Sequence, residues 1–299
     1  MNPLVTIVAI SYNQEKYVIE TLNSLKSQTY PNIQLIIADD GSTDNTKQLI
    51  KEWIAVNWKD TLFLNHPVNQ GVTKNLNSAL PYIKGEYYQF IGCEDIMLPN
   101  KISMQIELLE KNLQYDIVYS DMLRMDENGT IKEFTHYTKF PLVEPQSGFI
   151  YESLIDQCFI ATPTALMRIK VLFTIGGDNE SLEVNDYDFW LRASKHFQFL
   201  YHNEITMKYR IVSTSISNRT GAFVYRNGFL TFYLNYDKRQ PYRKKFDRRL
   251  VLGIKNLSAN KFSKTSLFAF KAFLKTHKSI FIKYFIKGIP LYIKNKINS

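Results

Sequence analysis

The sequence predicts an α/β fold, a mostly parallel sheet with helices on both faces, followed by a mixed region and a helical C-terminal segment. Three observations carry that expectation. The run "LVTIVAI" at 4–10 is continuously apolar and rich in β-branched residues, as in strands covered on both faces. Three further apolar runs follow, each succeeded by apolar residues at helical spacing, and such alternation implies right-handed crossovers between parallel strands. Polar clusters stand just after each run, at the edge where open α/β sheets bind ligands.

Each element has its own reason. After the first run, Ser11, Tyr12, Asn13 and Gln14 form a turn, and Val18, Leu22 and Leu25 recur at helical intervals up to Gln28. The second run, "IQLIIA" from Ile33, ends at Asp39, and "DDGSTDNT" leads into a helix with Leu49, Ile50 and Trp53 inside. The third, Leu62 to Leu64, stops before "HPVNQGVTKN", and Leu76, Ala79, Leu80 and Ile83 mark the next helix. The fourth, "YYQFI", ends at Glu94 and Asp95. Near Asp121 the character changes: "DIVYSDMLRMDENGTIKEF" reads as a strand and a hairpin turning at Glu127, Asn128 and Gly129. "DYDFWLRAS" then gives a helix with Phe189, Trp190 and Ala193 available for the core, followed by short strands. Beyond Ser217 the pattern is helical, in "NGFLTFYLNY", "RRLVLGIKNLSANKF" and "KTSLFAFKAFLKTHKSIFIKYFIKGI". The expected organisation is a domain at 1–217, divided into halves at 1–120 and 121–217, and a basic, aromatic-rich helical region at 218–299.

A chain of 299 residues with 45% apolar and 22% charged residues can bury a sizeable core. Its 37 lysines and arginines against 28 acids give +9 and favour an anionic partner. The excess is concentrated at the C-terminal end, where only Asp237 and Asp247 are acidic after Tyr236. Cys93 and Cys158 are too few for a disulfide framework or a zinc cluster and fit a reducing compartment. The N-terminus "MNPLVTIVAISYN" lacks the pattern of a secretory signal, and "SIFIKYFIKGIPLYI" is interrupted by Lys283, Lys287 and Pro290 before it could span a membrane. The expected location is the cytoplasm, extending to the inner face of the cell membrane. The five histidines show no metal-ligand spacing. With no phosphate loop and no Gly-X-Gly-X-X-Gly fingerprint, an ATPase or a dehydrogenase of that kind is disfavoured.

Two acidic clusters carry chemistry. In "DDGSTDNT", Gly41 permits the turn and Ser42, Thr43 and Asp44 can cap the next helix. Capping does not account for Asp39 and Asp40, whose carboxylates can accept hydrogen bonds from the imide N–H of a uracil or from ribose hydroxyls. In "YQFIGCEDIMLPNKI", the adjacent Glu94 and Asp95 repel one another at an apolar edge, so either a bound cation offsets them or they are solvated loop and capping residues.

The order "VAISYNQEKYVIETLNSLKSQTYPNIQLIIADDGSTDNT", "NQGVTKNLNSAL", "GEYYQFIGCEDIMLPNKI" and "NDYDFWLRAS" resembles the family 2 glycosyltransferases, inverting enzymes of the GT-A fold, in order and spacing from Leu4 to Ser217. The resemblance implies a nucleotide-sugar-binding half at 1–120, with Ser11, Tyr12, Asn13, Asp39, Asp40 and Lys74 on the nucleotide, and an acceptor and catalytic half at 121–217. It implies a divalent cation, Mg²⁺ or Mn²⁺, at the Asp-X-Asp position. There this chain has Gly92, Cys93 and Glu94, so Glu94 and Asp95 are the expected metal ligands, glutamate remaining a hard oxygen donor. The general base of the family falls on Asp186, preceded here by Asn185, with Asp188 expected to be a solvated neighbour. A carboxylate at that place can take the proton of an acceptor hydroxyl. An arginine and a histidine that relatives bring to the nucleotide are replaced by Leu76 and Val212, which leaves Lys74 or Arg210 to supply positive charge.

The resemblance further implies a nucleoside-diphosphate sugar donor, a UDP-sugar first, and a glycan or lipid-linked acceptor in surface polysaccharide assembly. The alternative is a silent relative that binds nucleotide-sugar or glycan without transfer, for which Gly92, Leu76 and Val212 speak. A nucleotidyltransferase would want a basic, Gly-rich loop after the first strand, which "SYNQEKY" is not. In the C-terminal region, Phe268, Phe270, Phe273, Phe281, Tyr284 and Phe285 alternate with lysines, as suits helices lying on an anionic leaflet or packed with their lysines in water. No nucleic-acid-reading motif is present.

Overall fold

The structure is a computed structural model that describes residues 2–135, 137, 144–183, 186–213 and 221–297. It divides into two compact units, Met1–Ser215 and Ile216–Ser299.

The first unit is built on one mixed sheet. Its parallel block comprises β1 (Val5–Ser11), β2 (Ile33–Asp39), β3 (Leu62–Asn65) and β4 (Tyr87–Gly92), in the order β3-β2-β1-β4. Nearly every residue of β1 is buried, and the last five of β2 are as well, because helices cover both faces. α1 (Val18–Lys26) buries Val18, Leu22 and Leu25 as their spacing predicts, and α2 (Thr46–Asn57) buries Ile50 and Trp53. The Trp53 indole donates to Asn23 Oδ1 at 2.8 Å and ties the two helices together. α3 (Val72–Ser78) starts earlier and ends sooner than the sequence implies. Pro81, which lacks an N–H, follows in a short 3₁₀ turn at Leu80–Tyr82 rather than in a continued helix.

The sheet continues antiparallel from β4 through β8 (Leu166–Arg168) to β6 (Ile117–Met125) and then, in parallel, to β9 (Phe199–Arg210), with the short β5 (Ile96–Met97) along it. β7 (Ile131–Thr135) pairs with β6 as the expected hairpin. In place of the expected short strands, β9 is one strand of 12 residues. Its register on β6 jumps from His202 to Ile205, so the polar Asn203 and Glu204 bulge outward where the alternation breaks. α4 (Lys101–Lys111), α5 (Tyr151–Asp156), α6 (Ile169–Ile175) and α7 (Asp186–Ala193) complete this unit.

The second unit is helical: α8 (Ala222–Leu234), α9 (Arg243–Ala259), α10 (Thr265–Thr276) and α11 (Ile280–Ile297). The long apolar segment read as a single helical stretch is divided at His277, whose φ of 57° ends α10 in a left-handed turn. Phe229, Phe232, Phe246, Leu250, Phe268 and Phe281 are buried, and Phe229 stacks on Phe268 with ring centroids 5.4 Å apart. This unit therefore has an aromatic core of its own. Among the described residues, no helix is long and apolar enough to cross a membrane.

Candidate active site

Strand register sets the site. Ser11 pairs with Asp39, Asp39 with Asn65, and Ile10 with Gly92, so the carboxyl ends of β1 to β4 finish abreast. The chain lays β2 and β3 to one side of β1 and β4 to the other, which makes the loops after β1 and β4 the flanks of a topological switch point.

The loops after β1 and β2 interlock. Asp39 is fully buried and accepts the Ser11 hydroxyl at 2.8 Å, the Ser42 hydroxyl at 2.5 Å and the Ser42 N–H at 2.9 Å. Asp40, also buried, accepts the N–H groups of Gln70 and Gly71, both at 2.8 Å, and so pins the loop before α3. Asn13 sits in the left-handed region at φ 54°, its N–H donating to Ser42 Oγ and its side-chain oxygen accepting the Thr43 N–H, both at 2.8 Å. At Gly41, φ is 75° and a Cβ would lie 2.5 Å from the Val68 carbonyl carbon, so only glycine fits. Asp44, one residue before the N-cap Asn45 of α2, accepts the Thr46 N–H at 3.0 Å, whereas Ser42 serves Asp39 instead. Both predicted aspartates thus hold the rim together, and Tyr12, 44% exposed, stands on this edge with the exposed Asn13 and Thr43.

At the end of β4 the two adjacent carboxylates have different surroundings. The Glu94 side chain lies back over Gly92, where a Cβ would stand 2.7 Å from Glu94 Oε2. Burial pushes the Glu94 carboxyl up, opposed by its own N–H and by the Arg210 guanidinium. Asp95 is buried, its Oδ1 accepting the Arg210 N–H at 2.8 Å and its carbonyl accepting the Thr21 hydroxyl at 2.7 Å. Burial, and then the Glu94 charge, push its carboxyl well above the usual range. Asp95 thus bonds the junction of β4 and β9 through Oδ1, with the Glu94 carboxyl near enough to act on it. Among the described residues no group of three or more metal-ligating side chains converges.

Arg210 is 3% exposed and works as a clamp. Its Nε donates to the Glu94 carbonyl at 2.9 Å, one terminal nitrogen donates to the Glu127 carbonyl at 3.1 Å, and the other pairs with Glu20. The guanidinium also lies 4.7 Å from the Tyr17 ring centroid. Each nitrogen of its guanidinium is thus bonded within the protein. Lys74, by contrast, is exposed on α3. Leu76 and Val212, which stand for the absent arginine and histidine, are buried in the packing.

Asp186 opens α7, half-buried, and its Oδ1 accepts the Tyr187 N–H at 2.8 Å. Burial pushes its carboxyl up, opposed by backbone N–H groups and the Thr162 hydroxyl. Thr162 also accepts the Trp190 indole at 3.0 Å, and the Tyr187 hydroxyl donates to the Leu154 carbonyl at 2.6 Å, so the helix start is held from two sides. Asp188 is not a solvated neighbour: it is fully buried and bonded by Arg192 Nε at 2.8 Å, while Arg192 also donates to the carbonyls of Ile175 and Gly177. The segment before α7 is tied to α3, through Thr73 to the Leu182 carbonyl and Asn77 to the Asp178 carbonyl, each at 2.8 Å. Those bonds bring the run carrying Asp186 to the edge where α3 begins. Asn185 lies outside the described residues.

Three participants escaped sequence reasoning: Glu20, Thr162 and Asn75. Asn75 is buried, its amide donating to the Ala38 carbonyl at 3.0 Å while its Oδ1 has no partner.

A parallel block is thus continued by antiparallel strands, with acid-bearing loops abreast at one edge. Residues 6–173 match the sequence profile of "Glycosyl transferase family 2", and the chain belongs to that family. It is 29% identical over 212 residues to an uncharacterised glycosyltransferase of Methanocaldococcus jannaschii, covering 70% of this chain and 71% of that one. It is 29% identical over 217 residues to the Escherichia coli enzyme WfgD, a UDP-Glc:alpha-D-GlcNAc-diphosphoundecaprenol beta-1,3-glucosyltransferase, covering 72% and 80%. Staphylococcus aureus TarS in complex with UDP-GlcNAc superposes with a TM-score of 0.64 at 20% identity, over 95% of this chain and 79% of that chain. The mannosyltransferase PcManGT of Pyrobaculum calidifontis, in complex with GDP-Man and Mn²⁺, does so with a TM-score of 0.64 at 13% identity, over 100% and 88%.

Proposed function

We propose that the protein transfers a sugar from a nucleoside-diphosphate sugar, UDP-linked in the first instance, to a hydroxyl of a glycan or lipid-linked glycan, inverting the anomeric carbon in one displacement. The observation that carries this reading is the contrast between two carboxylates of one unit. Asp95 is locked into packing, while Asp186 stands half-buried at a helix start with its basicity raised by burial. A base of that kind can hold the acceptor hydroxyl and take its proton as the oxygen attacks. Tyr12 offers a face on which a base can stack, the Asn13 turn fixes the loop beneath it, and Lys74 supplies charge toward the phosphates.

Glu94 is the acid that fits a divalent cation. Its carboxylate folds back over Gly92 at the end of β4, where its own N–H bonds it, and one protein carboxylate with diphosphate oxygens is a donor set that Mg²⁺ and Mn²⁺ accept. Such a cation, when bound, neutralises charge on the departing diphosphate. The Mn²⁺ and GDP-Man of PcManGT and the UDP-linked substrate in the name of WfgD support the reading. Surface polysaccharide assembly is the corresponding role, supported by the diphosphoundecaprenol acceptor in the same name.

Thermal unfolding against UDP, GDP, CDP and dTDP, each with and without Mn²⁺, tests it. A stabilisation selective for one nucleotide, dependent on Mn²⁺ and absent in Glu94→Ala, is expected. No stabilisation by any nucleotide in a folded sample overturns the proposal.

A further inference from the structure

The two units differ sharply in charge. Residues 216–299 carry 19 lysines and arginines against Asp237 and Asp247, a net +17, whereas residues 1–215 carry 18 against 26 acids, a net −8. Asp247 is itself neutralised by Lys278 at 3.0 Å. So large a positive charge on 84 residues has no counterpart within its own unit.

The same unit exposes apolar side chains in stripes. On α10, Leu267, Phe270 and Leu274 recur at i, i+3 and i+7, Leu274 being 55% exposed. On α11, Ile282, Ile286 and Ile293 recur at i, i+4 and i+11, Ile286 being 61% exposed. Those intervals put each trio on one helical face. The two helices form a hairpin turned at His277, with the Phe270 and Phe285 rings 5.4 Å apart. A Cβ at Gly288 would lie 2.8 Å from the Ser266 nitrogen, so the glycine lets the backbones approach. Lys271, Lys283 and Lys287 are exposed beside the stripes, and no ion pair among the described residues includes them.

We propose that the α10–α11 hairpin docks in the plane of an anionic lipid bilayer, its leucine, phenylalanine and isoleucine stripes in the interface and its lysines on the headgroups. Charge complementarity selects this occupant. A polyanion such as nucleic acid would satisfy the lysines and leave the apolar stripes in water, and a second copy meeting this face with its own hairpin would bring +17 against +17. A bilayer of acidic lipids takes a basic face and an apolar face together. The contact is interfacial, since among the described residues no helix is long and apolar enough to cross a membrane. The inference stands apart from the catalytic reading, because it invokes no residue of the first unit.

Co-sedimentation of the full chain with vesicles tests it, using phosphatidylcholine alone and phosphatidylcholine containing roughly one third phosphatidylglycerol. Sedimentation with the acidic vesicles alone, weakening as salt rises, is expected. Lys271→Glu/Lys283→Glu/Lys287→Glu lowers the partition by at least about tenfold. Ile282→Ser/Ile286→Ser lowers it also at high salt, where charge is screened. Both variants keep the melting temperature of the parent and its response to nucleotide, because the altered side chains are exposed. No sedimentation with acidic vesicles, equal sedimentation with neutral ones, or binding unchanged in both variants overturns the proposal. So does a shift to dimers in light scattering that the isoleucine variant abolishes.

Discussion

Asp186 and Gly92 illustrate how single residues act at the rim. Replacing Asp186 by asparagine removes the proposed base and leaves the Thr162 and Tyr187 contacts sterically intact. Transfer is expected to fall by about 10²–10⁴-fold with nucleotide affinity unchanged, read from initial rates and isothermal titration. The pH profile has a definite sign. Burial raises the Asp186 carboxyl, so the proton is lost only above the ordinary aspartate range and the acid limb of kcat lies at higher pH than for a solvated aspartate. The same shift means the folded state holds that proton more tightly than the unfolded chain, and this residue's contribution to stability declines as pH rises through its shifted value. Gly92 acts through space. Gly92→Ala places a methyl 2.7 Å from Glu94 Oε2, so the carboxylate must swing away, and Mn²⁺-dependent stabilisation by nucleotide is expected to weaken while the melting temperature without ligand barely moves. Equal Mn²⁺ dependence in Gly92→Ala and the parent would sink this reading.

Elements are joined by a few buried polar groups, Arg210 among them. At the end of β9 it reaches the β4 end through the Glu94 carbonyl, the β6–β7 turn through the Glu127 carbonyl, and α1 through Glu20. Arg210→Ala leaves three acceptors bare and is expected to cost about 3–5 kcal/mol in urea unfolding. Strands β1 to β4 and the first two helices were legible because burial on both faces forces continuous apolar runs and helical spacing forces a stripe. The β9 bulge was not, because Asn203 and Glu204 interrupt an alternation that only pairing with β6 restores. Nor was the clamp, since Arg210 and Glu20 stand 190 positions apart and neither has a local pattern that names its partner. Asp188 looked like a surface acid for the same reason. The salt bridge to Arg192 one helical turn on hides it from water, and a pair at that spacing reads equally well as solvent-facing. Asp39 and Asp40 were legible as important, but the hydrogen-bond donors that consume their oxygens come from residues whose positions only the folded loops reveal.

At the scale of the molecule, the two units carry separate cores, one around the sheet and one around Phe229, Phe246 and Phe268. The donor residues proposed above all belong to the first. Calorimetry is therefore expected to resolve two transitions, only one of which moves with nucleotide and Mn²⁺, by about 2.7 kcal/mol at a hundredfold excess over Kd. A single transition that shifts as a whole would contradict it. The opposed charges of the units also give the chain a chromatographic signature. The intact protein, at an isoelectric point near 9.2, is retained by a cation exchanger, and a product that has lost residues 216–299 carries −8 and moves to an anion exchanger. Proteolytic clipping of the helical unit thus reverses the resin that binds the protein before any change of mass is measured.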